Sequence, residues 1–300
     1  MKTKRSATHF IGFYLYYGLS WPLLRLPLPA LYFISDFLFL LLYYFPGYRK
    51  KVVMGNLKNA FPEKTDNELK KIAKAFYSHL CDYFVESFAI LKMSDQEFSK
   101  RCVWKNIELL DYYYSKGKSV ISVFGHYGNW EWLVGLSMFT ELKVLALYKP
   151  LNNTYFDRYI KDMRQRFGVH AVPLLRSYPV MLDYHNNNIP TLTFFAGDQR
   201  PVKENIRYWT RFLNQDTPVL LGTEKIAKRL DQAVVFFFMN KVKRGYYEIE
   251  IIPVTDSPRT TGEYEITEMH TRLLEMQIRK NPDFWLWSHK RWKHKMEIKL

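Results

Sequence analysis

Apolar residues near the start of the chain form one long run that is almost free of charge. Between residues 10 and 48, only Arg25 and Asp36 are charged. A helix that crosses a bilayer needs about 20 consecutive apolar residues, and prolines around Arg25 divide the run into shorter pieces. We therefore predict a helix or helical hairpin that lies in the membrane interface. A secretory signal peptide is the alternative, but no small-residue cleavage site follows the run.

From residue 49 onward, the pattern changes to helices that alternate with strands. Thr65 or Asp66, with Glu68, marks a helix start, and apolar residues at helical spacing extend that helix to about residue 93. A second helix is expected over 95–114.

Short β-branched or aromatic runs then alternate with helical stretches, which predicts an α/β fold with a mostly parallel central sheet flanked by helices. The last strand is expected to pair antiparallel with the one before it. We expect two parts, a membrane-anchoring segment over 1–48 and a catalytic domain over 49–300. The expected strands are 119–124, 143–148, 170–175, 190–195, 233–239 and 246–252, and the expected helices between and after them are 130–139, 153–167, 177–187, 218–230 and 262–280.

Composition adds a large positive charge to this picture. Lys and Arg number 44 against 29 Asp and Glu, a formal net charge of +15, and 17% of the residues are aromatic. Residues 1–5, 49–51 and 290–300 carry 3, 3 and 4 of these net charges, which together make 10 of the 15. Since the first two clusters border the apolar run, an anionic membrane is the favoured partner. The 48% hydrophobic content excludes a disordered chain, and two cysteines exclude a disulfide framework.

Aromatic and basic residues also alternate at the C-terminus, over 285–295. Such a segment can stack on nucleic-acid bases, or it can be a solvated basic tail. Because the apolar run lies at the other end of the chain, we expect contact with the membrane interface and lipid phosphates, with tryptophans at headgroup depth.

The candidate chemistry follows the first expected strand of the α/β pattern, at His126. Gly125 and Gly128 bracket it, which permits a tight turn and close approach of a substrate to the backbone. Glu131 falls in the first turn of the next expected helix, where its carboxylate can reach the imidazole. A carboxylate on one ring nitrogen fixes the tautomer and makes the other nitrogen a better base, which suits proton removal from an alcohol.

Two other interpretations of His126 stay open. The histidine can simply cap a turn. It can also bind a metal, which is disfavoured because a His and a Glu five residues apart do not share a helical face.

The spacing of His126 and Glu131, within the stretch GHYGNWEW, resembles the H-x4-D/E motif of the lysophospholipid acyltransferase superfamily, and in particular the bacterial lipid A secondary acyltransferases. The glycerolipid branch has Asn before the His and a later Phe-Pro-Glu-Gly block, whereas Gly125 precedes His126 here and no such block follows. Further segments match in order: Tyr148-Lys149-Pro150 with Asn152 and Asn153, Arg164-x-Arg166-x-Gly168, Gly197-Asp198-Gln199, Thr217-Pro218, and Trp285-x-Trp287-x-His289-x-Arg291.

The resemblance implies a glycerolipid-acyltransferase-like fold and transfer of a fatty acyl chain to a hydroxyl of a lipid A precursor. The donor would be a thioester of acyl carrier protein or coenzyme A, with no other cofactor and no metal. The expected location is the cytoplasmic face of the bacterial inner membrane, and the expected partners are the thioester, an anionic lipid acceptor and the membrane, but no nucleic acid.

Five residues carry the expected site. His126 is the general base and Glu131 orients it. By motif match, Arg164, Asp198 and Gln199 are expected to bind substrate, Arg164 through a phosphate or the developing oxyanion and Asp198 by positioning the acceptor. Two plainer roles are open as well: Arg164 can lie on a solvated helix face, and Asp198 can close a turn.

Two other functions remain as alternatives. One is acylation of a different glycolipid, aminolipid or lysophospholipid by the same mechanism. The other is a membrane-associated nucleic-acid-binding protein, which the basic aromatic C-terminus suggests but which leaves the His126 loop unexplained.

Overall fold

The computed structural model describes residues 14, 18, 25–45 and 47–296. Within them, the α-helices are α1 (Leu28–Tyr44), α2 (Lys50–Ala60), α3 (Asp66–Ala89), α4 (Asp95–Arg101), α5 (Glu108–Ser115), α6 (Thr154–Gln165), α7 (Ser177–Asn186), α8 (Gly222–Leu230) and α9 (Glu265–Lys280). The strands are β1 (Cys102–Lys105), β2 (Val120–Phe124), β3 (Lys143–Tyr148), β4 (His170–Pro173), β5 (Thr191–Ala196), β6 (Trp209–Phe212), β7 (Gln215–Pro218), β8 (Ala233–Lys243) and β9 (Tyr246–Thr255).

Seven of these strands form one sheet in the order β1-β9-β8-β2-β5-β3-β4. The β8–β9 pair is antiparallel, and the other pairings in this sheet are parallel. The predicted α/β fold with a mostly parallel sheet flanked by helices is therefore confirmed. Strands β8, β2, β5, β3 and β4 run in the same direction, so their carboxyl ends lie along one edge of the sheet. We call this the carboxyl edge.

The central strands are buried on both faces, since helices cover the sheet on both sides. Four of the five residues of β2 are buried, and so are the first seven of β8. The N-terminus of α3 follows its sequence signal: Thr65 caps the helix and exchanges hydrogen bonds with Glu68 in a capping box. The predicted helix start is confirmed.

The expected helix over 95–114 is wrong, because β1 interrupts it between α4 and α5. Cys102, Val103 and Trp104 favour a strand, and Cys102 pairs in parallel with Tyr247 of β9. Asn106, with a φ of 59°, turns the chain into α5. The partner strand lies far along the sequence, so local periodicity did not reveal it.

Two other segments differ from the expected elements. The short antiparallel pair β6–β7 precedes α8, which begins at Gly222 rather than at residue 218. The two-residue turn between β6 and β7 places Leu213 and Asn214 at positive φ, 48° and 61°, as a tight hairpin requires. The segment Trp130–Met138 is a 3₁₀ helix rather than an α-helix.

Helix α1 is the described part of the apolar N-terminal run, and it packs against α3. Ser35 donates a hydrogen bond to Asp82 of α3, and Asp36 forms an ion pair with Arg244 in the β8–β9 turn. In the described part of the chain, no helix combines the length and the apolar character needed to cross a membrane. Most of residues 1–24 lie outside the description, so the interfacial anchor stays a prediction.

Candidate active site

His126 lies in a turn directly after β2, at the carboxyl edge. Both flanking glycines are needed there. A Cβ on Gly125 would lie 2.5 Å from a methyl carbon of Leu274, and one on Gly128 would lie 2.5 Å from the sulfur of Met239. Gly128 also has a φ of +61°, in the left-handed region that favours glycine.

Asp198 approaches His126 from the next strand of the sheet. Strands β2 and β5 pair in parallel with Phe124 opposite Ala196, so the turns that follow them meet at the carboxyl edge. One Asp198 oxygen lies 2.6 Å from His126 Nδ1, and the other accepts the His126 backbone N–H at 2.7 Å. The indole N–H of Trp285 donates to that second oxygen at 2.8 Å.

These contacts determine the electrostatics of the pair. Burial alone would raise the pKa of Asp198, but the charge and hydrogen bonds of His126, with the indole N–H of Trp285, lower it to about 2. Burial alone would lower the pKa of His126, but the charge and hydrogen bond of Asp198, with the more distant charge of Glu131, outweigh it and raise that pKa. Asp198 is therefore an ionised partner that stabilises an imidazolium.

The other ring nitrogen of His126 faces the amide of Gln199. The two Nε2 atoms are 3.1 Å apart. The ionised Asp198 carboxylate at Nδ1 can only accept, so Nδ1 carries a proton and Nε2 carries the free electron pair of the neutral ring. This tautomer is the one that a general base needs, and a hydroxyl that gives its proton to Nε2 has to take the place of Gln199.

Glu131 occupies the first turn of the 3₁₀ helix, as its motif position predicted, but it contacts Arg164 rather than the imidazole. Arg164 Nε and Nη2 donate to the two carboxylate oxygens at 3.0 and 2.8 Å. The planar guanidinium matches a carboxylate in this two-bond geometry. The carboxylate at His126 Nδ1 is thus that of Asp198, and a catalytic part for Glu131 remains a prediction.

Arg164 lies in the last turn of α6, next to the site rather than on a solvated face. Burial alone would lower the pKa of Arg164, but the charge and hydrogen bonds of Glu131 raise it. Two of its five N–H donors go to Glu131. The structure therefore brings all five expected site residues to one region. His126 pairs with Asp198, Glu131 pairs with Arg164, and Gln199 lies at the imidazole of His126.

The C-terminal segment forms one wall of this site, which sequence reasoning missed. Leu286 donates its N–H to the carbonyl of His126 at 3.0 Å, and Tyr127 forms a β-bridge with Trp285. The prediction that the tryptophans of this segment lie at the membrane interface is wrong, because Trp285, Trp287 and Trp292 are buried. Three tryptophans within eight residues, 285–292, are the sequence signal that favours burial, because tryptophan is highly buried on average.

Arg291 is also buried in this wall, although it belongs to a basic cluster in the sequence. It lines a small cavity of about 10 Å³ together with Asp198 and His270. Burial lowers the pKa of Arg291 to about 10, against the opposing charge of Asp198. Among the residues that the structure describes, no three His, Cys, Asp or Glu side chains are grouped as metal ligands would be.

Comparisons with known proteins give one family model and several relatives that match this chain. The family model described as "Bacterial lipid A biosynthesis acyltransferase" matches residues 1–294. Lipid A biosynthesis palmitoleoyltransferase of Escherichia coli (strain K12) is 23% identical over 291 residues, covering 92% of this chain and 89% of that protein. A lipid A biosynthesis acyltransferase of Shigella flexneri gives the same values. A second one, lipid A biosynthesis acyltransferase 2, is 20% identical over 240 residues, covering 77% of this chain and 74% of that protein.

Proposed function

This chain belongs to the bacterial lipid A biosynthesis acyltransferase family, and we propose that it transfers a fatty acyl chain from a thioester to a hydroxyl of a lipid A precursor. The observation that carries the mechanism is the contact of His126 Nδ1 with the buried, ionised carboxylate of Asp198. It leaves His126 Nε2 as the atom that can receive a proton.

The proposed reaction begins when His126 Nε2 removes the proton from the acceptor hydroxyl. The alkoxide oxygen attacks the thioester carbonyl and forms a tetrahedral intermediate. The carbon–sulfur bond then breaks, and the imidazolium returns the proton to the leaving thiolate. The donor is an acyl thioester of acyl carrier protein or of coenzyme A, and no covalent acyl-enzyme forms.

Asp198 stabilises the imidazolium during this sequence, because its charge is fixed beside Nδ1 by three hydrogen bonds. We assign Glu131 a double part. Its charge contributes to the raised pKa of His126, and its two hydrogen bonds hold the guanidinium of Arg164 in one orientation.

Arg164 is then placed to stabilise negative charge. A guanidinium held by a carboxylate is an oriented donor that needs little rearrangement when an oxyanion develops. The remaining N–H donors of Arg164 also suit phosphate groups on the lipid acceptor. Gln199, at His126 Nε2, is proposed to position the acceptor hydroxyl once that hydroxyl has displaced it.

Membrane association follows from α1 in this proposal. Phe33, Phe37 and Leu40 on this helix are exposed, although the helix packs on α3 through its other face. Lys50, in the basic cluster that follows, lies over the ring of Tyr43 at 4.2 Å. An exposed apolar face beside lysines and arginines is typical of a helix in the interface of an anionic membrane. We place the enzyme at the cytoplasmic face of the bacterial inner membrane.

Mass spectrometry of lipid A from cells with and without the gene tests this function. Loss of the gene is expected to remove one acyl chain from lipid A, and a plasmid copy is expected to restore it. Acylation of another glycolipid, an aminolipid or a lysophospholipid would instead appear as a loss in that lipid class. An unchanged lipid profile would contradict the proposal.

A further inference from the structure

Three exposed leucines, separate from α1, lie on the two segments that follow β3 and β4. We call Leu151, Leu174 and Leu175 the apolar lip. Leu174 is 51% exposed and Leu175 is 96% exposed, and Leu151 is exposed as well. Water contact with nearly the whole of a leucine side chain is unfavourable, and grouped exposed apolar side chains mark an interaction site.

The apolar lip lies on the same edge of the sheet as His126. Tyr148, the last residue of β3, pairs with Pro173, the last residue of β4. The segments that follow these two residues, with Leu151 in one and Leu174 in the other, therefore leave the sheet side by side. Strand β4 is three strands from β2, and neighbouring strands are about 4.8 Å apart, so the lip begins roughly 14 Å along the carboxyl edge from the His126 turn.

Helix α1 lies on the other side of the site, at a turn beyond the same edge, because β8 continues for seven residues past Phe236, the partner of Val123. Strand β8 runs parallel to β2 and lies next to it, and its carboxyl end leads into the turn that holds Arg244. Arg244 forms an ion pair with Asp36 of α1. The order along the carboxyl edge is therefore α1, then the His126 and Asp198 turns, then the apolar lip.

We infer that the apolar lip enters the bilayer as a second docking point, so that the catalytic histidine faces the membrane between two apolar contacts. This inference rests on the proposed function, and it adds that the carboxyl edge of the sheet is the part that meets the lipid. The partner is an anionic lipid surface, because the exposed cations Lys149 and Arg176 flank the leucines in sequence. Burial of one leucine in lipid favours the bound state by about ten- to a hundredfold.

A fluorescent probe at the lip tests this inference. Both native cysteines, Cys81 and Cys102, are buried, so a Leu175→Cys variant can be labelled at one site with an environment-sensitive dye. Ile189→Cys is the matched control. Ile189 is 45% exposed and precedes β5, so it lies at the opposite edge of the sheet. The vesicles contain phosphatidylethanolamine and phosphatidylglycerol.

The expected result is a blue shift and protection from an aqueous quencher for the dye at position 175 when vesicles are added, with no change at position 189. Vesicle binding without a response at position 175, or an equal response at both positions, would overturn the inference. A dye at position 175 that is already shielded before vesicles are added would also overturn it, because a second copy or another part of the chain would then cover the lip.

Acidic substitutions give a functional test. Leu175→Asp is expected to weaken sedimentation with these vesicles by about tenfold or more, whereas Ile189→Asp leaves it unchanged. Acyl transfer to a vesicle-embedded acceptor is expected to fall in proportion, and transfer to a detergent-dispersed acceptor is expected to stay the same. Equal sedimentation of the two variants would contradict the inference.

The two proposals fail in different ways. If the wild-type protein transfers no acyl chain to any lipid, the proposed function is wrong, and the dye at position 175 still reports whether the lip meets the bilayer. If transfer occurs while the dye and the sedimentation do not respond, only the second docking point is wrong.

Discussion

At the residue scale, two carboxylates act on one histidine in different ways. Asp198 contacts His126 Nδ1 and also accepts the backbone N–H of His126. Glu131 acts through its charge, because its oxygens are used by Arg164. The two acids should therefore differ in how strongly they control the protonation of the base.

The pH dependence of activity separates these parts. A general base is active when neutral, so activity rises with pH through the pKa of His126, which Asp198 raises. Asp198→Asn lowers that pKa and is expected to move the acidic limb of the kcat/KM profile to lower pH, with a plateau rate lower by about 10²- to 10⁴-fold. Glu131→Gln is expected to move the limb in the same direction by less. A larger displacement in Glu131→Gln would contradict this division.

The indole of Trp285 is expected to matter through its hydrogen bond. Trp285→Phe keeps an aromatic ring but removes a donor to a buried carboxylate, a bond worth about 1.5–3 kcal/mol. We expect kcat to fall by about ten- to a hundredfold with little change in KM. Trp287→Phe is the matched control, because Trp287 is equally buried and donates to the carbonyl of Pro282 instead. Equal losses in the two variants would indicate a packing effect only.

At the element scale, buried charges hold α1 on the catalytic domain. Asp82 of α3 is only 4% exposed and forms ion pairs with Lys241 and Arg244 of the β8–β9 hairpin. Asp36 of α1 is 61% exposed and pairs with the same arginine. The guanidinium of Arg244 thus contacts one exposed carboxylate, that of Asp36, and one buried carboxylate, that of Asp82.

These two aspartates are expected to contribute very unequally to stability. Asp82→Asn leaves the buried ammonium of Lys241 without its counter-charge, and should lower the free energy of unfolding by about 3–5 kcal/mol. Asp36→Asn should change it by about 1 kcal/mol or less, because its pair is exposed to solvent. Urea denaturation of both variants measures this difference. Similar values for the two would show that α1 is not anchored through the buried network.

The sequence predicted the elements whose signal is local and missed those that depend on distant partners. Strands β2, β3, β5 and β8 are short apolar runs, and their residues alone identify them. Strand β1 has four residues and exists because β9 pairs with it. In the site, the motif identifies the residue types. It does not predict the contact of His126 with Asp198, because the two residues are 72 positions apart and meet through the register of β2 and β5.

At the scale of the whole molecule, the lysines and arginines behind the net charge of +15 lie both on the surface and in the core. Arg291 is buried beside Asp198, whereas Lys290 and Lys293 next to it are exposed. The exposed cations and the apolar surfaces of α1 and the lip would then act together on an anionic membrane, by attraction at long range and by insertion at contact.

Salt is expected to separate these contributions. The Debye length falls from about 10 Å at 0.1 M to about 3 Å at 1 M ionic strength, so the attraction of exposed lysines and arginines to anionic vesicles weakens. Binding measured by sedimentation should decrease over this range but not vanish, because the apolar contacts are not screened. Binding that is unaffected by salt, or that disappears completely, would contradict this combination.

The central claim is that His126 is the base for acyl transfer, and a single rate comparison tests it most directly. Purified wild-type, His126→Ala and His185→Ala proteins are compared in detergent with an acyl thioester and a lipid A precursor. His185 is exposed on α7 and serves as the matched control. We predict wild-type rates for His185→Ala and a loss of about 10²- to 10⁴-fold for His126→Ala. A folded His126→Ala protein that retains substantial transfer would contradict the claim.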